Sequence, residues 1–369
     1  MIVHALKARF STPLPLDLGG SLPEFNLAYE AYGRLNADAS NAILILHALS
    51  STSHAAGIHH PSDTKPGWWD SVIGPGKLFD TDRFFVVCSN VLGGWAGSTS
   101  PADPNPLTGT PYGLHFPTLT IADMVRAQHQ LMHLLGIQRW HALAGGCMGG
   151  FQALEWLRLF PQHVGRALLV GTSWKTSAHT IARNAVLRQA LMSDPLWNHG
   201  DYYHGPQPQS GPALAATIGT LIWFDPSHLE TKHGRKRLPT PPSPQASERF
   251  APQFQIEALI ARIAAAAPGA FDSNSMLYLT KAMDLFDLTA HGPMETVFAH
   301  CRTPTLLVSI DSDWRYPAAE GGHLVNHLLR AGCPAEHRLL QSPLGHGAFF
   351  LDPAAFTAVV GDYLEPIKG

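Results

Sequence analysis

Hydrophobic positions fall along the chain in two kinds of run. Short continuous apolar stretches at residues 42–46 (AILIL), 84–88 (FFVVC), 140–144 (WHALA), 167–170 (ALLV) and 305–310 (TLLVSI) are bounded by Gly, Pro or polar residues, the pattern of strands buried on both faces. Between them, apolar residues recur three or four apart at 119–135, 151–160, 318–329 and 353–364, which predicts amphipathic helices. A last short strand is expected near 337–340. Residues 1–40 carry short alternating stretches broken by Pro and Gly, 27–32 among them, as suits an antiparallel edge hairpin. Strands alternating with helices predict an α/β fold with a mostly parallel central sheet.

From 173 to 292 the alternation stops. Helical periodicity takes over at 178–192, 212–224, 254–266 and 276–286, with a Pro/Ser-rich break at 238–246. An all-helical block between strands reads as an inserted lid over the carboxyl edge of the sheet. The expected organisation is a core domain of residues 1–172 and 293–369 and a helical lid domain of 173–292.

Composition narrows the function. Of 369 residues 45% are hydrophobic and 14% charged, with a net charge of -3, so the chain is globular and offers no basic footprint for nucleic acid or anionic lipid. The run Lys232 to Arg237, KHGRKR, is read as a solvated loop. Neither a signal-peptide core at the start nor a membrane-length run is visible, which predicts a soluble cytoplasmic protein with no membrane partner. Cys88, Cys147, Cys301 and Cys333 are too scattered for a disulfide framework and read as reduced thiols. The 21 histidines, His59 and His60 included, show no H-E-x-x-H or comparable spacing, so no metal is expected.

The chemistry concentrates at residues 140–156. There Gly145-Gly146-Cys147-Met148-Gly149 stands between a strand and a helix as G-x-C-x-G, the thiol counterpart of the G-x-S-x-G nucleophile elbow. Its sharp turn lifts Cys147 to the top of the sheet and leaves the Met148 N–H, at the start of the helix, free to hold an oxyanion. The loop after 42–46 supplies the second donor in that architecture, and Leu49 is the candidate. A late strand ends in Asp311-Ser312-Asp313, and His346 lies in a Gly loop after the final strand. Nucleophile, acid, then His is the chain order of the α/β-hydrolase fold. His346 is the expected general base and acid, and Asp313, with Asp311 as competitor, the residue that orients it. Trp68, Trp69 and Trp95 are read as packing residues.

Over about residues 26–363 the chain resembles the homoserine O-acetyltransferase family of the α/β-hydrolases. The segments that carry it are PGWWDSVIGPGKLFDTDRFFVVCSN, GSTSPADPNPLTGTPYG, FPTLTIADMVRAQ, GGCMGGFQALEW, RQALMSDPLWNHGDYY and SMLYLTKAMDLFDL. The resemblance implies a homodimer through lid helices, a triad of Cys147, Asp313 and His346, oxyanion donors at Leu49 and Met148, and Arg188 as the arginine holding the acceptor carboxylate. Three departures stand out. The family nucleophile is ordinarily serine; the aspartate after the histidine, which holds the acceptor amine, is here Gly347; and a Tyr-Arg pair of the lid is here Trp223-Phe224.

Gly347 and Trp223-Phe224 favour an esterase hydrolysing short acetate-type esters of small molecules through a Cys147 acyl-enzyme, without cofactor. The alternative is homoserine (or related hydroxy amino acid) O-acetyltransferase activity with acetyl-CoA as co-substrate, favoured by the whole-chain resemblance, by Arg188 and by the thioester intermediate. A non-enzymatic binding protein would not need a complete Cys, Asp, His set.

Overall fold

The computed structural model describes residues 1–239 and 250–365. Most of the Pro/Ser-rich break expected at 238–246 therefore lies outside the described residues. Eight strands form the central sheet: β1 (Leu6–Phe10), β2 (Phe25–Tyr32), β3 (Ala42–Leu46), β4 (Phe85–Ser89), β5 (Ala142–Gly146), β6 (Ala167–Val170), β7 (Thr305–Ile310) and β8 (Ala335–Leu340). Their order is β1-β2-β4-β3-β5-β6-β7-β8. The first two pairings are antiparallel and the rest parallel.

Period-two alternation within buried strands builds the core on both faces. Ala42, Leu44 and Leu46 of β3 pack into one cluster with Met124, Val125 and Leu154, whereas Ile43 and Ile45 point into another with Trp69, Phe349 and Phe356. Helices α1 (Ile121–Leu134) and α2 (Met148–Leu159) cover the first face. Helix α1 starts where the sequence supplies a capping box: the Thr120 side chain accepts from the Asp123 amide and the Asp123 carboxylate accepts from the Thr120 amide, satisfying two otherwise orphaned donors.

Between β6 and β7 the described chain is helical, with α3 (Ala178–Met192), α4 (Ser210–Trp223), α5 (Pro226–Lys232), α6 (Gln255–Ala266) and α7 (Ser273–Asp284). Helix α5 lies where the sequence reading assigned no element; Asp225 caps it and Pro226 starts it, a legible signal for a helix of only two turns. In the basic run Lys232, Arg235, Lys236 and Arg237 are exposed, as read from the sequence. Arg235 and Arg237 set their guanidinium groups 5.4 and 5.6 Å from the Phe254 ring centroid, a cation–π arrangement.

The strand order reverses between the adjacent parallel strands β3 and β5, the chain passing from β3 to β4 on one side and from β5 to β6 on the other. An open α/β sheet forms its ligand crevice at the carboxyl ends of such strands. The two ends carry Leu49 and Cys147.

Candidate active site

Cys147 follows β5 directly and has φ 56° and ψ -121°, a left-handed conformation that costs a non-glycine residue about 1–3 kcal/mol. The turn around it is possible only because its neighbours lack side chains. A Cβ at Gly145 would sit 2.6 Å from the Gly149 carbonyl oxygen, and one at Gly149 would sit 2.0 Å from that of Leu46. The strain leaves the thiol on the cavity wall and Met148 as the first residue of α2, where helix amides have no intrahelical acceptor.

His346 and Asp313 arrive from the loops after β8 and β7. The imidazole Nδ1 and the Asp313 Oδ2 are 2.6 Å apart, both side chains being buried. Asp313 Oδ1 accepts from the Arg315 and Tyr316 amides at 2.8 and 3.1 Å, which fixes the carboxylate. Asp311 accepts from the Ser342 amide instead, at 2.9 Å. Between the two acids, Asp313 is the one on the histidine.

Electrostatics favour charge separation between thiol and imidazole. Burial alone would push the Cys147 thiol up, but the Arg315 guanidinium, His346 by charge and hydrogen bond, and Arg183 bring it down to about 6. Burial disfavours the His346 cation, yet the Asp313 carboxylate and the Cys147 thiolate raise it to about 9. With the thiol brought down and the imidazole raised, the surroundings favour the thiolate and imidazolium forms of the pair. Asp313 is also buried, and its hydrogen-bonded partners hold its carboxyl below the usual range.

A cavity of about 530 Å³ opens above the thiol, lined by Leu49, Cys147 and His346 from the core and by Arg183, Asn184 and Trp223 from the helical insertion. The loop bearing Leu49 is anchored by His47, which is buried: Nδ1 donates to the Ala48 carbonyl and Nε2 accepts from the Val91 amide. Burial brings this imidazole down to about 4, so it stays neutral.

Arg183 and Arg315 both line the cavity. Burial and the facing Arg315 charge bring Arg183 down to about 10, so both remain cations at neutral pH. The Arg315 Nε and Nη2 are buried without a hydrogen-bond partner among the described residues. No carboxylate lines the cavity among those residues. Two arginines facing an apolar-walled space suit an anion placed beside the thiol.

The expected acceptor residues are placed differently. Arg188 does not line the cavity; its Nη2 pairs with Asp284 Oδ2 of α7 at 2.7 Å, while Asn184 donates to the other Asp284 oxygen. Position 183, on the same helix, faces the thiol instead. Trp223 does line the cavity, but Phe224 turns away, stacking on His228 with centroids 5.3 Å apart. Trp95, read as packing, is a cavity wall that meets Phe271 of the insertion, whereas Trp69 is core. Gly347 is in contact range of the Trp223 indole. Sequence reasoning missed Arg183, Arg315 and Tyr316, whose Oη is 3.9 Å from the Cys147 Sγ. The one available signal was the position of Arg315 and Tyr316 just after the Asp313 strand end.

An elbow nucleophile with a buried His-Asp pair on this sheet defines an acyl-transferring or acyl-hydrolysing enzyme of the α/β-hydrolase fold. A family model described as alpha/beta hydrolase fold matches residues 41–353. A curated homoserine O-acetyltransferase of Geotalea daltonii is 42% identical over 99% of this chain and 98% of its own; one of Geobacter sulfurreducens is 41% identical over 100% and 98%. The crystal structure of homoserine O-acetyltransferase from Bacillus anthracis superposes with a TM-score of 0.90 at 31% identity, covering 99% of this chain and 98% of that one. Esterase E22 superposes with a TM-score of 0.88 at 29% identity, covering 99% and 100%. The chain belongs to the homoserine O-acetyltransferase family.

Proposed function

We propose that this enzyme transfers an acetyl-type acyl group from acyl-CoA, through a thioester on Cys147, to the hydroxyl of a small carboxylate-bearing acceptor of the homoserine kind. The observation that carries the reading is the pair Arg183 and Arg315 beside the thiol, where two buried Arg315 nitrogens have no hydrogen-bond partner among the described residues. An acceptor carboxylate satisfies them, and the names of the relatives point to the same acceptor class. This reverses the order in which the sequence departures alone placed the two activities.

The steps follow from the ion pair. The Cys147 thiolate attacks the acyl carbonyl, Leu49 and Met148 amides hold the oxyanion, and CoA leaves as a thiol with the proton of His346. An acyl-cysteine and an acyl-CoA are both thioesters, so this exchange is close to balanced. The acceptor hydroxyl then gives its proton to His346 and attacks the thioester carbonyl. The oxygen ester forms, and the Cys147 thiolate departs and recovers its imidazolium partner. Asp313 keeps Nδ1–H oriented throughout. Acetyl-CoA is a co-substrate, and no bound cofactor enters. No described helix is long and apolar enough to cross a membrane, and we place the enzyme in the cytoplasm, as a homodimer through the helical insertion.

Hydrolysis of short esters is the second reading. It is favoured by Trp223, which fills the space beside Gly347, and by the absence of a carboxylate for an acceptor ammonium among the described cavity residues. A paired assay separates the two: acetyl-CoA with homoserine, followed for CoA and acetylated product, beside a small acetate ester followed for acid release, each repeated with Cys147→Ala. Homoserine-dependent CoA release lost in the variant supports transfer. Ester cleavage with no acylated acceptor supports hydrolysis.

A further inference from the structure

Away from the thiol, three ligand-type side chains converge from two elements. Glu30, on β2, is buried to 1% exposure, yet its carboxylate meets His54 Nδ1 at 3.0 Å and His59 Nε2 at 2.8 Å. The three ligand atoms lie within 4.8 Å of one another. The two imidazoles lie with centroids 4.1 Å apart and their planes tilted by 38°. No local motif revealed this, because the strand bearing Glu30 and the loop bearing the histidines meet only in the fold. The sequence expectation of no metal rested on spacing along the chain alone.

We propose that Glu30, His54 and His59 form a binding site for a borderline divalent cation of the Zn²⁺ class, outside the acyl-transfer site. Ligands at about 2.0–2.2 Å from a tetrahedral ion stand roughly 3.3 Å from one another, a spacing that three ligand atoms within 4.8 Å of one another can reach. Two imidazole nitrogens and one carboxylate select zinc-like ions over Mg²⁺ or Ca²⁺, which take all-oxygen shells. The surroundings supply what such a site needs. Tyr32 Oη donates to Glu30 Oε2 at 2.9 Å and accepts from the Ala55 and Ala56 amides at 2.8 and 3.1 Å, so the carboxylate and the loop are oriented by one hydroxyl. His59 has 46% of its side chain exposed, which gives an entry path and room for water as fourth ligand. The loop that contributes His54 and His59 follows β3 and also bears Leu49, so a bound ion ties that loop to β2.

The test is zinc binding to chelator-stripped full-length protein, by calorimetry and by metal analysis after gel filtration. One equivalent should bind to the wild type and to Cys147→Ala, which removes the competing thiolate. His59→Ala, altering a half-exposed side chain, should weaken binding at least tenfold, and Glu30→Gln should do the same while keeping its shape. Should Glu30→Gln fail to fold, His54→Ala gives the second ligand deletion. Zinc should also slow amide exchange in residues 50–60 of the wild type and not of His59→Ala. Absent binding, binding unchanged by His59→Ala, or binding lost only with Cys147→Ala would overturn the site and leave Glu30 as a carboxylate hydrogen-bonded by two imidazoles.

Discussion

The indole of Trp223 occupies the place that a side chain at position 347 would need: a Cβ on Gly347 would fall 2.7 Å from the Trp223 ring. The two departures from the family pattern are therefore one feature. A side chain at position 347, beside His346, and a tryptophan at the end of α4 exclude each other.

Gly347→Asp alone should consequently lower stability, by overpacking of about 1–3 kcal/mol, without improving homoserine use. Gly347→Asp with Trp223→Ala should recover stability and lower the KM for homoserine, since the new carboxylate then meets the acceptor ammonium. Thermal melts and steady-state kinetics on the three variants check this. Improved KM in the single variant would contradict the exclusion.

Reactivity of the thiol should track its ion pair. As pH rises through about 6, Cys147 loses its proton and becomes nucleophilic; as pH rises through about 9, His346 loses the proton needed by the leaving thiol. Acylation should form a plateau between these limits. Iodoacetamide labelling measured against pH should reach half its maximum near 6, and Arg315→Met should move that midpoint upward, because Arg315 is the largest favourable charge on the thiolate.

Asp313→Asn should lower kcat by up to about 10⁴-fold with KM little changed, through loss of the imidazole tautomer. Asp311→Asn should leave kcat close to the wild-type value, since Asp311 holds the Ser342 amide and not the imidazole. Equal losses would show that the 2.6 Å contact to His346 is not what orients it.

Arginine roles separate in the same way. Arg183→Met should raise the KM for the hydroxy acid about 10–100-fold, as expected for a lost charge-assisted contact. Arg188→Met should leave that KM unchanged and reduce stability, by stranding the Asp284 carboxylate buried at the α3–α7 contact. A KM effect confined to Arg188 would restore the role that family resemblance gave it.

These residues also mark how far the sequence could be read. Strands β3, β6 and β7 and helix α3 fall where apolar runs put them to the residue, because a fully buried run between breakers has little freedom of length. The grouping of Cys147, Asp313 and His346 was legible because all three follow strand ends, which the pattern locates. Arg183 and Arg188 were not separable: both lie on one helix, and only the capture of Arg188 by Asp284, from the distant helix α7, decides which faces the thiol. The same holds for Cys301 and Cys333, scattered in sequence yet with Sγ atoms 3.1 Å apart as free thiols. It holds again for Glu30 and its two histidines.

The claim that Cys147 carries an acyl group from CoA to a hydroxy acid is tested most directly by following the acyl-enzyme itself. Protein mixed with a slight excess of acetyl-CoA should gain the mass of one acetyl group, localised to Cys147, with one equivalent of CoA released. Adding homoserine should then discharge it to O-acetylhomoserine much faster than water discharges it to acetate. Discharge to acetate at a rate indifferent to homoserine, or no acylation by acetyl-CoA while small esters acylate Cys147, would contradict the account and make the enzyme a hydrolase.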